Sequence, residues 1–469
     1  MSTVHPADLS VAEIVQRTTG GEVTALEVVE ACLARIAERD PALNAFSVVL
    51  ADEARAEASR RDASLAAGEE AGSLHGVPVA IKEEIPVAGC VTTFGGRGNS
   101  TPAAQDGELV ARLRAAGAVI IGKTRMPEFG AWPFTESVDG GVTRNPWDPA
   151  HTPGGSSGGT AVAVAAGMVP VGLGGDGGGS IRIPAACCGI FGLKPERGRT
   201  STAPTAQLWW ALGTAGPLSR SVLDSALVYD VIRGNVATDM FTATPPTRSF
   251  ADAARAEPGR LRIGWSTRSP VRLVRPDPRH VAAVAETARL LADLGHDVRE
   301  VTPSYPDATT AFVPQFFAGI RDEADAVEHQ DRLERRTREV YRLGSWVRPG
   351  VVRAALRAGE RVSRNADRVF ADVDVLLTPT LAQRPPMTGV LDRGGALRQA
   401  WNAQPMIAYT SFWNVTGHPA ASVPAGLADD GLPLAVQLVG RRSDETTLLS
   451  LAAQVELARP WPPPLVPAP

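Results

Sequence analysis

Two glycine-rich stretches that each contain serine lie close together in the chain and restrict what it can fold into. The first reads Pro-Gly-Gly-Ser-Ser-Gly-Gly at 153–159, and the second reads Gly-Gly-Asp-Gly-Gly-Gly-Ser-Ile-Arg-Ile-Pro at 174–184. Glycine lets backbone N–H groups approach a ligand, and a serine in such a loop is a candidate nucleophile that faces an oxyanion hole. Ser156 and Ser180 are therefore two candidate nucleophiles, with plain turns as the alternative interpretation.

The bulk composition is that of an ordinary soluble globular protein. A chain of 469 residues with 44% hydrophobic content can form one large α/β unit. A net charge of −4 gives no reason to expect nucleic acid or a membrane surface as a partner. The seven histidines have no metal-ligand spacing, so we expect neither a metal nor a cofactor.

The cysteine count and the distribution of apolar residues predict a cytoplasmic protein. Four cysteines are too few for a disulfide framework and fit a reducing compartment. The first residues lack a basic start followed by an apolar run, and no run is long enough to span a bilayer. We expect a monomer or a homodimer.

Hydrophobic periodicity and capping residues predict alternating helices and strands, which is typical of an α/β architecture. Capping boxes at Ser10 and Thr24 open the first two helices. The predicted helices are 11–18, 25–39, 50–68, 107–116, 161–168, 221–232, 279–294, most of 310–370, and 445–457. The predicted strands are 77–82, 118–121, 169–173, 261–265, 373–377 and 434–439. The proline-rich tail from Pro460 is predicted to be an extended arm.

Two familiar motifs match in sequence but lack the secondary structure that each motif requires. Residues 117–124 match the P-loop pattern, but the interior Ala-Val-Ile-Ile is a strand and not a phosphate-binding loop. Residues 154–158 match the G-x-S-x-G nucleophile elbow, which requires a strand directly upstream. The preceding segment 148–153 contains two prolines, so Ser156 is not expected to be an elbow nucleophile.

Lysine is rare in this chain, and its three occurrences draw attention. Of the 47 basic residues, only Lys82, Lys123 and Lys194 are lysine. A desolvated lysine can accept a proton, whereas arginine remains charged. Lys82 ends a predicted apolar strand, which makes it a candidate base, and we expect Lys123 and Lys194 to be structural.

Motifs through most of the chain together resemble the amidase signature family of serine hydrolases. The order and spacing of the lysine, the double serine and the Gly-Gly-Ser-Ile-Arg motif are the most specific part. The matching segments are Gly76-Val-Pro-Val-Ala-Ile-Lys82, Thr143-Arg-Asn-Pro-Trp-Asp148, Thr152-Pro-Gly-Gly-Ser-Ser-Gly-Gly159, Gly178-Gly-Ser-Ile-Arg-Ile-Pro-Ala185, Gly189-x-x-Gly-Leu-Lys-Pro195, Asn414-Val-Thr-Gly-His-Pro419 and Leu432-Pro-Leu-Ala-Val-Gln-Leu-Val-Gly440.

The resemblance implies a fold and a domain organisation. The α/β chain would form one large domain over 1–469, with a central mixed β-sheet covered by helices on both faces. A catalytic core segment would occupy 60–240. A variable helical segment at 305–370 would border the substrate pocket.

The resemblance also implies a Ser-Ser-Lys triad. Ser180 would be the nucleophile and form an acyl-enzyme, Ser156 would relay the proton beside a cis peptide bond, and Lys82 would be the base. The backbone amides expected to form the oxyanion hole belong to Gly177, Gly178, Gly179 and Ser180. The supporting residues would be Ser157, Asp176 and Arg182, the last two pinning the loop by charged hydrogen bonds.

This chain departs from the family pattern near both ends of the implied site. Glu83 and Glu84 follow the lysine where the family usually has Asp-Asn, and a carboxylate near Lys82 favours its charged form. We therefore expect either that Glu84 turns away or that the strand has ended. Gly175 and Gly177 replace larger residues, which predicts a roomier acyl pocket.

The predicted activity is hydrolysis of a carboxylic amide, with a small apolar or aryl amide as the favoured substrate. The alternatives are the glutaminase subunit of a tRNA-dependent amidotransferase and a non-catalytic binding protein. Glutamine-using relatives resemble one another in having an acidic residue where this chain has Ile407, which favours a stand-alone hydrolase. The aromatic candidates for a pocket lining are Trp209, Trp210, Phe316, Phe317, Trp346, Phe412 and Trp413.

Overall fold

The computed structural model describes residues 5–461, so residues 1–4 and the end of the predicted proline-rich arm lie outside the described residues. The described strands are β1 (Phe46–Val49), β2 (Pro78–Lys82), β3 (Val119–Thr124), β4 (Glu136–Ser137), β5 (Gly141–Val142), β6 (Val171–Asp176), β7 (Phe191–Lys194), β8 (Thr214–Ser219), β9 (Arg262–Trp265), β10 (Asp297–Glu300), β11 (Val375–Pro379), β12 (Ala420–Leu427) and β13 (Pro433–Gly440).

Helices connect and flank these strands. They are α1 (Val11–Thr19), α2 (Ala25–Leu43), α3 (Ala51–Ala66), α4 (Glu108–Ala115), α5 (Gly158–Ala165), α6 (Arg182–Cys188), α7 (Val222–Ile232), α8 (Phe250–Arg255), α9 (Pro278–Asp293), α10 (Thr309–Ala326), α11 (Arg335–Leu343), α12 (Pro349–Ala366), α13 (Ala396–Ile407), α14 (Ser411–Thr416) and α15 (Glu445–Ala458). Among the described residues, every helix is too short or too polar to cross a membrane.

Eleven strands form one mixed sheet in the order β1-β3-β2-β6-β8-β7-β12-β13-β11-β9-β10. Strand β2 runs parallel to both of its neighbours, β3 and β6. Successive side chains of β13 point to opposite faces, because Val436 and Leu438 enter one hydrophobic cluster whereas Ala435 and Val439 enter another. The structure confirms the predicted single α/β domain with a mixed sheet and helices on both faces.

The sequence missed strands that lack the usual strand composition. Strand β8 reads Thr-Ala-Gly-Pro-Leu-Ser, and glycine and proline are depleted in strands. Pro217 has no N–H to donate, but β7 pairs only with Leu218 and Ser219 and therefore makes no pair at this position. On the other side, Pro217 faces Leu173 of β6. Tertiary pairing and not local preference therefore places this segment in the sheet.

The sheet brings the two glycine-rich stretches to the same edge. Because β2 and β6 are parallel neighbours, their carboxyl ends lie side by side, with Lys82 ending the first strand and Asp176 ending the second. The second glycine-rich loop leaves β6 at this edge and leads into α6. The first loop leads into α5, which begins at Gly158.

Candidate active site

Lys82 and Ser156 are in direct contact at the carboxyl edge of the sheet. Nζ of Lys82 donates a hydrogen bond to Oγ of Ser156 at 2.8 Å. Lys82 is 1% exposed and Ser156 is 2% exposed, so this contact is shielded from solvent. The peptide bond between Gly155 and Ser156 is cis, and Ser156 follows a loop and not a strand, as the sequence predicts.

Ser180 lies in the loop between β6 and α6, beside this pair. Its carbonyl accepts a hydrogen bond from the amide of Ser157 at 3.2 Å. Ser180, Lys82 and Ser156 line one small cavity, which we call the inner cavity. The structure thus brings the three predicted catalytic residues together, although in the described structure the two serine hydroxyls form no hydrogen bond with each other. Their roles remain predictions.

A buried ion pair between Arg182 and Asp176 organises the loop that carries Ser180. Nε and Nη2 of Arg182 donate to the Asp176 carboxylate at 3.0 and 2.9 Å. Nη1 donates to Gln437 Oε1 at 2.8 Å, and Nη2 donates to Asn414 Oδ1 at 2.7 Å. Both charged side chains are inaccessible to solvent. The pair therefore joins β6, α6, α14 and β13 in one hydrogen-bonded unit.

The carboxylate of Asp176 also holds the backbone of the loop. It accepts hydrogen bonds from the amides of Gly179 at 2.8 Å and Ile181 at 3.2 Å. Burial alone would raise the pKa of Asp176, but the charge of Arg182 and hydrogen bonds from Arg182 and Asn414 lower it to about 2. These are the charged hydrogen bonds that the sequence analysis expected of Asp176 and Arg182.

This arrangement divides the four predicted oxyanion donors. The amide of Gly179 already donates to Asp176. The amides of Gly177, Gly178 and Ser180 donate to no acceptor in the described part of the chain. The prediction of an oxyanion hole therefore retains three available donors, while the fourth has a structural partner. The remaining supporting residue, Ser157, donates from Oγ to the carbonyl of Gly175 at 3.1 Å.

Glu84 faces Lys82. Strand β2 ends at Lys82, and a turn closed by the amide of Ile85 and the carbonyl of Lys82 at 3.0 Å follows. The turn returns Glu84 to the site, where its Oε1 lies 3.1 Å from Nζ of Lys82. Of the two expected alternatives, the strand has indeed ended, but the carboxylate does not turn away.

The predicted roomier pocket at Gly175 and Gly177 is wrong. A Cβ atom at Gly175 would lie 2.0 Å from Oε1 of Glu84, and a Cβ atom at Gly177 would lie 2.6 Å from the ring of Trp209. Both distances are far below van der Waals contact. The space that the two glycines leave is therefore already filled by Glu84 and Trp209, and no extra room remains for the acyl group.

An apolar cavity of about 1020 Å³ opens onto Ser180 from the other side, and we call it the outer cavity. Trp209, Phe316 and Phe312 form one wall, with ring centroids 5.3 Å apart for the first pair and 6.1 Å apart for the second. Phe317 and Phe412 also line the cavity, whereas Trp210, Trp346 and Trp413 do not. Its charged lining residues are Arg272, Arg275 and Asp307, which are exposed and therefore lie at its mouth.

The other two lysines line neither cavity. Lys123 donates to the carbonyl of Val91 at 3.3 Å, and Lys194 donates to the carbonyl of Pro195 at 2.7 Å. Burial lowers the pKa of Lys123 to about 8 and that of Lys194 to about 7. Within residues 5–461, no group of three or more His, Cys, Asp or Glu side chains could hold a metal ion.

Sequence reasoning missed several residues that complete the site. Glu323 and Phe312 of α10 carry no local signal, because only tertiary packing brings this helix to the loop of Ser180. Asn414 and Gln437 were recognised only as parts of motifs. A signal for Gln437 was available, since it is a single amide within the apolar run Leu434–Val439 and such a buried group needs partners.

Comparisons with known proteins agree with one another. The Amidase family model matches residues 27–449. A Mycobacterium tuberculosis protein named "Putative amidase AmiB2" is 50% identical over 464 residues, which cover 98% of each chain. The solved structure of 6-aminohexanoate cyclic dimer hydrolase complexed with substrate has a TM-score of 0.92 and 32% identity, covering 99% of this chain and 100% of that chain. A bacterial aryl acylamidase of the amidase signature enzymes family has a TM-score of 0.86 and 28% identity, covering 97% and 96%.

Replacing Asp176 with Asn should destabilise the protein, because it leaves Arg182 buried without its counter-charge. Breaking a buried ion pair at one partner costs about 3–5 kcal/mol. The pKa of Asp176 is lowered to about 2, so its stabilisation is present above the ordinary carboxyl range and is lost only as the pH falls towards that value. The difference in thermal midpoint between variant and wild type should thus stay constant from about pH 5 to pH 8.

Glu445→Gln is the matched control for this variant. It breaks the buried pair of Arg199 and Glu445, whose closest atoms are 2.8 Å apart and which lines neither cavity. The control should lower the thermal midpoint similarly but keep amidase kcat/KM within about three-fold, since distant sites act independently. Equal losses of kcat/KM in the two folded variants would contradict the role of Asp176 in holding the loop that carries Ser180.

Replacing Gly177 with Ala should reduce turnover for every acyl size. The new Cβ would meet the Trp209 ring at 2.6 Å, so the loop and its free amides must move. Loss of one oxyanion donor typically costs about 10²–10³ in rate. Rates on a series of anilides from acetyl to benzoyl should fall together, with Gly350→Ala in α12 as the unaffected control. A loss confined to bulky acyl groups would restore the pocket-size interpretation.

Proposed function

The chain belongs to the amidase signature family, and we propose that it hydrolyses the C–N bond of an apolar or aryl carboxamide through an acyl-enzyme on Ser180. Amide hydrolysis is the activity that the family and the similar proteins support. The observation that carries the finer proposal is the 2.8 Å contact of Lys82 with Ser156, in a cavity that Ser180 shares. A lysine, a relay hydroxyl and a second hydroxyl facing an apolar cavity suit acyl transfer.

Acylation begins with attack by Oγ of Ser180 on the amide carbonyl carbon. As the bond forms, the Ser180 proton passes to Oγ of Ser156, and the proton of Ser156 passes to Nζ of Lys82. The carbonyl π electrons move to oxygen, and the free amides of Gly177, Gly178 and Ser180 donate to that oxyanion. Lys82 must be neutral to accept the proton.

Collapse of the tetrahedral intermediate breaks the C–N bond. Lys82 returns a proton through Ser156 to the departing nitrogen, which leaves as ammonia or an amine. Water then attacks the carbonyl carbon of the Ser180 ester and gives up a proton through Ser156 to Lys82. The C–O bond to Ser180 breaks, the same relay returns the proton to Oγ of Ser180, and the carboxylic acid leaves. The ion pair of Asp176 and Arg182 keeps the loop and its amides in place throughout.

The proposed substrate class follows from the outer cavity. Aromatic side chains of Trp209, Phe312 and Phe316 line its interior, and its charged residues lie at the mouth. We propose that the helical segment 305–370 borders the substrate pocket, since α10 supplies two of these rings, and that 60–240 is the catalytic core. An aryl acylamidase and a hydrolase of a cyclic aminohexanoate dimer are among the similar structures.

A glutaminase subunit is the weaker candidate. Ile407, where glutamine-using relatives have an acidic residue, lines the outer cavity and offers no counter-charge to an ammonium group. The large apolar volume also exceeds what glutamine needs. No partner subunit is therefore proposed, and the proposed ligand is a small-molecule amide.

Replacing Ser180 with Ala should abolish turnover of an acyl anilide, because it removes the hydroxyl that forms the acyl bond in the proposed mechanism. We expect a loss on the order of 10⁴-fold or more, as for other serine hydrolases. Rapid quenching of wild type with a p-nitrophenyl ester, followed by mass spectrometry, should find the acyl group on Ser180. Ser225→Ala, which removes a buried hydroxyl without a described partner, is the control. Retained activity in Ser180→Ala would refute the proposal.

Replacing Phe312 with Ala should weaken aryl selectivity. Phe312 lies against Gly178, where a Cβ atom would be 3.4 Å from the ring, so the ring borders the reacting carbonyl. Losing such an apolar contact costs about 1–3 kcal/mol, and kcat/KM for benzamides should fall at least about ten-fold more than for acetamide. The control is Phe241→Ala, whose ring lies beside Arg197 and lines neither cavity. Equal losses on both amides would contradict the assignment.

A further inference from the structure

The inner cavity contains a carboxylate, that of Glu84, which the proposed Ser-Ser-Lys relay does not use. Nζ of Lys82 lies between Ser156 Oγ at 2.8 Å and Glu84 Oε1 at 3.1 Å. The Glu84 side chain is 12% exposed, and Lys82 is 1% exposed. The lysine is therefore in contact with a carboxylate as well as with its proposed relay serine, in a site largely closed to water.

The fold makes room for this carboxylate. A Cβ atom at Gly175 would lie 2.0 Å from Oε1 of Glu84 and 3.1 Å from its carboxyl carbon. The next nearest atom, Cδ2 of Leu208, would be at an ordinary 3.7 Å. Glu84 and Gly175 are thus a matched pair, since any larger residue at position 175 would displace the carboxylate from Lys82.

A second carboxyl group, that of Glu323 in α10, lies behind Trp209, which itself lines the inner cavity. Its Oε1 accepts a hydrogen bond from Nε1 of Trp209 at 3.1 Å, while its Oε2 is buried without a described partner. Burial first and the charge of Glu84 second raise the pKa of Glu323 well above its ordinary value. An added negative charge is therefore already disfavoured around Glu323.

We propose that Glu84 holds, as a carboxylic acid, the proton that Lys82 must lose before it can act as the base. This inference rests on the proposed function, because it assigns a role to a neighbour of the proposed base. One N–H bond of the Lys82 ammonium breaks, and one O–H bond forms on Glu84. The result is a neutral amine beside a neutral acid, and the net charge of the pair does not change.

The neutral pair resolves the conflict between a nearby carboxylate and a lysine base. A charge exchanged with solvent would leave an isolated ion in a site of low dielectric, which is costly. Transfer inside the pair avoids that cost. The neutral amine then takes the Ser156 proton as Ser180 attacks, and the proton returns to the leaving nitrogen through Ser156. Glu84 finally returns its proton to Lys82 when the enzyme rests.

The charged groups around Glu84 are few and come from three elements. Lys82 belongs to β2, Asp176 at the end of β6 is neutralised by Arg182, and Glu323 belongs to α10. The charge of Asp322 also raises the pKa of Glu323. Asp322 itself accepts a hydrogen bond from Nε1 of Trp210 at 3.1 Å and lies outside the inner cavity. Lys82 is therefore the one cation in direct contact with Glu84 among the described residues.

The test compares pH profiles of kcat and KM for an acyl anilide in wild type, Glu84→Gln and Glu83→Gln. Glutamine retains the shape of Glu84 but cannot take the proton, so we expect kcat to fall about 10²-fold, the lower end for a proton-transfer group, with KM within about three-fold. Glu83 is in the same turn, but it accepts from Oγ1 of Thr93 at 2.8 Å and lines neither cavity. Glu83→Gln should match wild type.

A double-mutant cycle with Gly175→Ala supplies a second readout that does not depend on one variant. In wild type, the new Cβ would displace the Glu84 carboxylate and should lower kcat at least about ten-fold. In the Glu84→Ala background no carboxylate is left to displace, so the same change should cost less than about three-fold. Additive effects would contradict the pairing of Glu84 with Gly175.

The possible failures are distinguishable. If Glu84→Gln keeps the wild-type maximum kcat and only moves the acid limb to lower pH, Glu84 merely favours the charged lysine and the inference is overturned. Ser180→Ala should be inactive in the same assay. Activity in Ser180→Ala would overturn the proposed function itself, whereas an inactive Ser180→Ala beside an unaffected Glu84→Gln overturns only the role of Glu84.

Discussion

The buried ion pair of Asp176 and Arg182 is the interaction on which the rest of the site depends. It lies where β6 ends, and its hydrogen bonds reach Asn414 in α14 and Gln437 in β13. One carboxylate therefore fixes the loop that presents Ser180 and also ties that loop to the far half of the sheet. Because neither charge reaches solvent, the pair holds only while every partner is in place. The position of Ser180 thus depends on residues that are far apart in the chain.

A second constraint acts at the lysine. Lys82 ends a strand that is buried along its full length, so its amine is almost inaccessible to solvent. The turn after that strand nevertheless places Glu84 against the amine, in space that Gly175 leaves free. With the roles proposed above, the site combines a base, Lys82, with its own acid, Glu84, inside one small cavity. The proposal thereby accounts for the departure from the family pattern beside the lysine.

The elements that could be predicted from the sequence are those with strong local patterns. The capping boxes, the apolar strand that ends at Lys82, the strand predicted at 169–173 and the helix predicted at 221–232 all follow from periodicity and end signals. The structure has the last two at Val171–Asp176 and Val222–Ile232. Strand β8 could not be predicted, because its glycine and proline are stabilised only by pairing with β6 and β7. The sequence also suggested empty space beside Gly175 and Gly177. The side chains that fill this space, Glu84 and Trp209, are distant in sequence from one or both glycines, so local patterns do not reveal them.

The sequence by itself determined the family resemblance, the α/β class and the candidate chemistry of Lys82, Ser156 and Ser180, because those depend on residue types in a fixed order. Only the tertiary structure decided which way Glu84 points, which loop amides stay free, and which aromatic rings form the outer cavity. The turn after β2 places Glu84, the hydrogen bonds of Asp176 decide which amides are occupied, and the aromatic wall depends on the approach of α10 to the loop of Ser180. That approach results from the packing of segments far apart in the chain, and local sequence does not encode such distances.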